Sequence, residues 1–313
     1  MAPSPLLRIG TRGSPLALIQ ANAVRTALIA AGADPDGLEI VVIRTSGDRV
    51  RDRPLADVGG KGLFTKELEE ALLDRRIDMA VHSMKDVPTW LPQGLAIPAL
   101  LPREDPRDVL LTAARLGPVR GIADLPLGAT VGSAALRRQA QLLHQRPDLK
   151  ITLLRGNVGA RLAKLEDGTI DATLLALAGL KRLDVAVMDD AILDPDALLP
   201  AVAQGAIGVE IRMDDVAARD IAARIDDRAT HIAVTAERAM LELLDGSCRT
   251  PIGGLARLDG TRLTLDGLVA MSDGSALHRR REVGTTSDPV ALGRAVGAAL
   301  RAAAGPAFFK DPT

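Results

Sequence analysis

Over its first two hundred residues the chain alternates short β-like runs with amphipathic helical stretches, a pattern that commits it to α/β layers with largely parallel strands. Runs at 6–10, 39–44 and 77–81 read as strands. Between them Ser14 and Pro15 offer an N-cap and a first-turn proline for a helix through Ala31, and Thr65 caps a second helix through Leu73. The Pro-rich, charged segment 98–108 then breaks the pattern and reads as a crossover linker. Beyond it, strands at 130–131, 150–154 and 172–178 alternate with helices at 135–145 and 158–167, a second α/β unit. A strand at 207–211 follows the turn-rich stretch 194–205. From Arg228 a long helix runs to Leu244, and strands near 255–257, 262–269 and 276–281 with a closing alanine-rich helix form a small α+β unit. A chain of 313 residues has the length for two or three cores of ordinary size.

Composition narrows the classes of partner. Lysines and arginines number 39 against 40 acidic residues, a net charge of -1, so any anion site has to arise from local clustering. With aromatic residues at 1% and no tyrosine, there is little to stack on bases, which argues against a nucleic-acid reader. Cys248 is the lone cysteine and has no internal disulfide partner. The start of the chain lacks the long apolar run of a secretory signal, and stretches such as 172–180 are shorter than the ~20 residues a bilayer demands. The expectation is a cytoplasmic protein without membrane anchor. No second His or Cys stands at metal-ligand spacing, so no metal is expected.

Arginines gather where strands give way to helices, places where backbone N–H groups and the helix dipole already favour anions. Arg12 follows the first strand, Arg137 and Arg138 open the helix after Val131, Arg155 and Gly156 follow the strand ending at Leu154, Arg161 lies one turn on, and Arg182 follows the strand at 172–178. Guanidinium forks suit carboxylates and phosphates, although any single arginine serves equally well as a surface or structural ion pair. The loop Gly59-Gly60-Lys61-Gly62-Leu63-Phe64 suits a mobile lid. In His82-Ser83-Met84-Lys85-Asp86-Val87-Pro88 a carboxylate and an ammonium stand side by side at a strand end, fit for proton transfer or cation stabilisation, or equally for a plain turn. Cys248 sits past a helix end beside Arg249, which favours the thiolate; on its own it reads as an inert small hydrophobe.

These segments together, with Arg12-Gly13-Ser14-Pro15-Leu16-Ala17-Leu18, Leu136-Arg137-Arg138-Gln139 and Arg155-Gly156-Asn157-Val158, resemble the porphobilinogen deaminase family, also called hydroxymethylbilane synthases, over nearly the whole chain. The resemblance implies two domains like type II periplasmic binding proteins, hinged to each other, at 1–104 with 204–225 and at 105–203, and a C-terminal α+β domain at 226–313. It implies an enzyme that condenses four porphobilinogen molecules head to tail, releasing ammonia, into the linear tetrapyrrole hydroxymethylbilane. A dipyrromethane cofactor would be held by Cys248 through a thioether. Asp86, with Lys85, would be catalytic: Asp86 would protonate the departing amine and stabilise the azafulvene cation. Ser14, Lys85, Asp86, Ser133, Arg137, Arg138, Arg155 and Gly156 would contact the cofactor. Arg12, Ser14, Lys61, Phe64, Arg155, Arg161, Arg182 and Gln204 would contact substrate. Because each added pyrrole brings two more carboxylates, many arginines are needed, and a covalent primer makes each condensation intramolecular for the growing chain.

Some positions depart from the family's pattern. Ala134 and Ala135 stand where hydroxyl residues are common before the arginine pair, Ser247 replaces a glycine before the cysteine, and Ala203 replaces a glycine before Gln204. The resemblance further implies a monomer acting on a small molecule. The competing reading, a non-catalytic solute binder, explains the arginines equally but gives Cys248 and Asp86 no task. An acyl or phosphoryl transferase lacks a Ser-His-Asp arrangement or a P-loop here.

Overall fold

The computed structural model describes residues 7–46, 62–244 and 250–309. Lys61, Ser247 and Cys248 therefore lie outside the described residues, as do Gly59 and Gly60 of the expected lid loop. The described chain runs β1 (Leu7–Arg12), α1 (Pro15–Ala30), β2 (Leu38–Ile43), α2 (Lys66–Leu73), β3 (Met79–Ser83), β4 (Leu95–Leu100), β5 (Asp108–Thr112), β6 (Thr130–Gly132), α3 (Leu136–Gln145), β7 (Lys150–Thr152), α4 (Val158–Glu166), β8 (Ala172–Ala176), α5 (Leu177–Arg182), β9 (Ile207–Arg212), α6 (Val216–Ala222), α7 (Arg228–Leu243), β10 (Ile252–Asp259), β11 (Arg262–Ala270), β12 (Leu277–Thr285) and α8 (Pro289–Ala304).

The fold is mixed α/β with three sheets. The first has the order β2-β1-β3-β9-β4, in which β1 pairs in parallel with β2 and β3, and β9 runs antiparallel to β3 and β4. The second, β5-β8-β6-β7, repeats this plan: β6 pairs in parallel with β7 and β8, and β5 runs antiparallel to β8. Each sheet thus takes its antiparallel strand from a segment next to a crossing between sheets, β5 after the outward passage and β9 after the return. Two such α/β sheets are followed by a small C-terminal antiparallel sheet, β10-β11-β12.

The described residues divide into two compact units. One holds those between 7 and 104 together with 205–231; the other holds those between 105 and 204 together with 232–309. Ile9, Val24, Leu28, Met79, Val81, Val209 and Ile211 form the central core of the first. In the second, Leu110, Val131, Leu142, Ala172 and Leu174 fill the second sheet's core, while Ala140 and Leu199 pack on Leu255, Leu268 and Ala270 of the third sheet.

Several sequence expectations need correction. Segment 98–108 is not simply a linker: Pro98 lies within β4, and Asp108 already begins β5. Proline lacks the N–H a ladder requires, and here it falls in the register shift between Ala96 and Ala99, where a ladder bond is not made. Strand 172–178 ends at Ala176, and its last residues enter α5, so Arg182 closes a short helix rather than following a strand directly. Thr65 precedes α2 without a side-chain capping bond, because its backbone is already helical. Ser14 does cap α1, its Oγ accepting from the Ala17 N–H at 3.3 Å.

Candidate functional site

In the first unit, the parallel pairing of β1 and β3 brings their C-terminal ends to one edge of the sheet. β1 ends on Arg12, β3 ends on His82 and Ser83, and the 3-10 turn Met84–Asp86 presents Lys85 and Asp86, both exposed. Gly208 of β9 admits this turn, since a Cβ there would stand 2.2 Å from the Met84 sulfur. A recess opens at that edge, lined by Arg12, Ala17, Gln20, Phe64, Thr65, Val81, His82, Ser83 and Asp86. The Arg12 guanidinium stacks over the Phe64 ring, 4.1 Å from its centroid, a cation–π contact that holds both side chains at the rim. Gln20 and Ser83 are hydrogen-bonded to each other at 2.8 Å.

A buried histidine–carboxyl contact lies at the floor. His82 Nε2 sits 2.9 Å from Glu210 Oε2, and both side chains are closed to solvent. Glu210 Oε1 is buried with no hydrogen-bond partner among the described residues. Close by, Glu69 is pushed above the usual carboxylate range, first by burial and further by the Glu210 carboxylate.

The second unit carries guanidinium groups. Completely buried Asp108, at the start of β5, accepts from Arg137 at 2.7 Å through Oδ2 and from Arg138 at 2.8 Å through Oδ1. Gln204 also donates to Oδ1, at 2.9 Å, and to the Pro106 carbonyl at 2.7 Å. The other arms of the two arginines reach backbone: Arg137 to the Leu199 carbonyl at 2.6 Å and Arg138 to the Leu174 carbonyl at 2.8 Å. Burial pulls the Arg137 guanidinium below its ordinary pKa. Asp108 is held well below the usual carboxylate range: desolvation acts to raise it, but the charges of Arg137 and Arg138 prevail.

At the start of α4, Asn157 caps the helix, its Oδ1 accepting from Ala160 N–H at 2.9 Å, after Gly156 with φ 108° turns the chain away from Arg155. Arg161 Nε donates to the Gly156 carbonyl at 3.0 Å. Its pKa is lowered to about 10, first by burial and then by the positive charges of Arg138 and Arg155. Three guanidiniums therefore share one neighbourhood, and Arg138 Nε, buried, has no acceptor among the described residues. This donor set fits a ligand bearing carboxylates. Ser133 Oγ is engaged with Ala135, accepting from its N–H at 3.2 Å, and α3 begins without a side-chain cap.

Structure thus groups Arg12, Ser14, Phe64, Lys85 and Asp86 in one unit and Ser133, Arg137, Arg138, Arg155, Gly156, Arg161, Arg182 and Gln204 in the other. Ala203 adopts φ 58°, the left-handed region in which glycine is at ease, and its N–H donates to the buried Glu237 carboxylate at 2.6 Å. Sequence reasoning passed over Asp108, Glu210 and Glu237. The available signal was a lone carboxylate abutting or interrupting apolar runs, Asp108-Val109-Leu110-Leu111 and Ile207-Gly208-Val209-Glu210-Ile211. Among the described residues no three His, Cys, Asp or Glu side chains cluster as a metal site, and no helix is long and apolar enough to cross a membrane.

Fold and side chains define an α/β protein with an acid at one strand edge and a cluster of guanidiniums suited to carboxylates in its second unit. Residues 7–220 match the family model "Porphobilinogen deaminase, dipyromethane cofactor binding domain", and 231–302 match "Porphobilinogen deaminase, C-terminal domain". The chain belongs to the porphobilinogen deaminase family. A porphobilinogen deaminase of Paracoccus denitrificans is 53% identical over 308 residues, covering 98% of this chain and 97% of its own length. One from Nitrobacter winogradskyi is 54% identical, covering 97% of this chain and 95% of its own. Among solved structures, the periplasmic VFT2 domain of Bordetella pertussis BvgS is 19% identical with a TM-score of 0.42, over 72% of this chain and 88% of that one.

Proposed function

We propose that this enzyme condenses four porphobilinogen molecules, with loss of ammonia, into hydroxymethylbilane on a dipyrromethane held by Cys248. The observation that carries this is the contrast between the units: an exposed carboxyl at the recess of the first, and in the second guanidiniums of which one N–H has no acceptor among the described residues. When bound, the dipyrromethane supplies a nucleophilic pyrrole terminus. Arg137, Arg138 and Arg155 would hold its carboxylates, with Ser133 and Gly156 contributing. Arg12, Phe64, Arg161, Arg182, Lys61 and Gln204 serve the substrate and the lengthening product.

Asp86 gives its proton to the amine nitrogen of porphobilinogen, making an ammonium group that departs as ammonia when the methylene carbon–nitrogen bond breaks. The resulting carboxylate faces the positive charge left on the incoming pyrrole and then accepts the proton released when the new carbon–carbon bond is complete. Exposure of Asp86 at the recess lets one carboxyl perform both transfers. Neighbouring Lys85 binds an acidic side chain and keeps the local field from becoming strongly negative. The three-domain division at 1–104 with 204–225, 105–203 and 226–313, a cytoplasmic location and a monomeric state belong to the same proposal.

Intact-protein mass spectrometry tests the anchor: the purified chain should be heavier than its sequence by one two-pyrrole unit, and Cys248→Ala should lack that mass. An active chain of unmodified mass refutes the covalent primer.

A further inference from the structure

Arg137 and Arg138 bring two permanent positive charges into a nearly closed interior, and a single fully buried carboxylate, Asp108, faces both. We propose that Asp108 is a positioning residue for the dipyrromethane: it aligns the two guanidiniums and offsets one of their two charges, leaving net positive charge for ligand carboxylates. This rests on the functional reading above.

The geometry restricts what Asp108 can do. It opens β5, with its Cα partner Ala176 on β8, and the Leu193 N–H donates to its carbonyl, so its backbone is fixed between neighbours. Oδ2 is given to Arg137 and Oδ1 to Arg138 and Gln204, so Asp108 remains in place when ligand arrives. Because the other arms of both arginines are tied to the carbonyls of Leu199 and Leu174, each guanidinium plane is set by two bonds. Among the donors left over, the buried Arg138 Nε has no acceptor among the described residues.

Charge counting reaches the same conclusion. Arg137, Arg138 and Asp108 sum to +1, and Arg155 and Arg161 nearby add further positive charge for ligand carboxylates. With Asp108 made neutral that sum becomes +2, and the arginines lose the anchor that sets their planes. With a second carboxylate added, the sum falls to zero and the attraction for a ligand carboxylate weakens.

The test compares wild type, Asp108→Asn, Asp108→Glu and Gln204→Glu, expressed in the same host. Two quantities are read: the fraction of folded chains bearing the dipyrromethane mass, and the thermal midpoint. Gln204→Glu keeps Asp108 and places a second carboxylate in hydrogen-bonding reach of it. Expected are a loaded fraction at least tenfold lower in Asp108→Asn, partial recovery in Asp108→Glu, and a severalfold loss among the folded chains of Gln204→Glu. If Asp108→Asn fails to fold, Gln204→Glu decides: normal loading overturns the proposal and reduced loading supports it. Normal loading of a folded Asp108→Asn overturns the proposal while leaving the reaction assignment intact. A wild type with no added mass overturns that assignment and this proposal together.

Discussion

The two α/β sheets share one strand plan, and each buries one carboxylate on its antiparallel strand: Glu210 on β9 and Asp108 on β5. Their partners differ in kind. Glu210 faces a single imidazole, that of His82, whereas Asp108 faces two guanidiniums. The first sheet therefore sets one carboxylate against one ring beneath exposed Asp86, while the second sets one carboxylate against two cations. On the proposed function, a common backbone plan would serve proton transfer in one unit and carboxylate binding in the other, and the distinction lies in a handful of side chains.

The contrast can be tested from its most consequential point downward. Asp86→Asn should lower ammonia release from porphobilinogen by about 10²–10⁴-fold, the scale of a lost general acid, with an unchanged thermal midpoint because the side chain is exposed. Asp108→Ala should lower unfolding free energy by about 3–5 kcal/mol in chemical denaturation, since two buried guanidiniums would lose their counter-charge. Glu210→Gln should shift stability by no more than about 1 kcal/mol, because Gln keeps an acceptor for His82 and removes a buried charge. Equal losses in those two variants would erase the difference between the sheets.

Acid titration sharpens the same comparison. The folded pKa of Asp108 is depressed, so its contribution is present above its unfolded pKa of about 3.9 and disappears as pH falls through the folded value. The stability gap between wild type and Asp108→Ala should therefore be widest near neutrality and narrow below about pH 4. Glu69 acts in the opposite sense: its folded pKa is raised, so its contribution is largest below about pH 4.3 and declines as pH rises through the folded value. Glu69→Gln should therefore improve relative to wild type as pH rises from 4 to 7, and a gap that widens the other way would contradict the burial argument.

Much of this was legible in the residues. Periodicity marked most strands and helices, since alternation and the 3.6-residue repeat are local properties. Ser14 and Asn157 mark helix starts because a cap requires only residues within one turn. β5 was missed because Asp108 and the proline-rich approach to it look like loop until an antiparallel neighbour, β8, is known. Arg137 and Arg138 were recognisable as anion-binding groups, but nothing near them announced that Asp108 stands between them.

The amino-acid sequence alone therefore determined the α/β layering, the family and the carriers of charge, because propensity, capping and motif spacing are written within a few residues of one another. Tertiary structure alone decided which charges meet: Asp108 lies 29 and 30 residues from its arginines and 96 from Gln204, while His82 and Glu210 are 128 apart. Such pairings depend on strand order and on burial, which removes water as a competing partner and makes each buried ion's nearest counter-charge decisive.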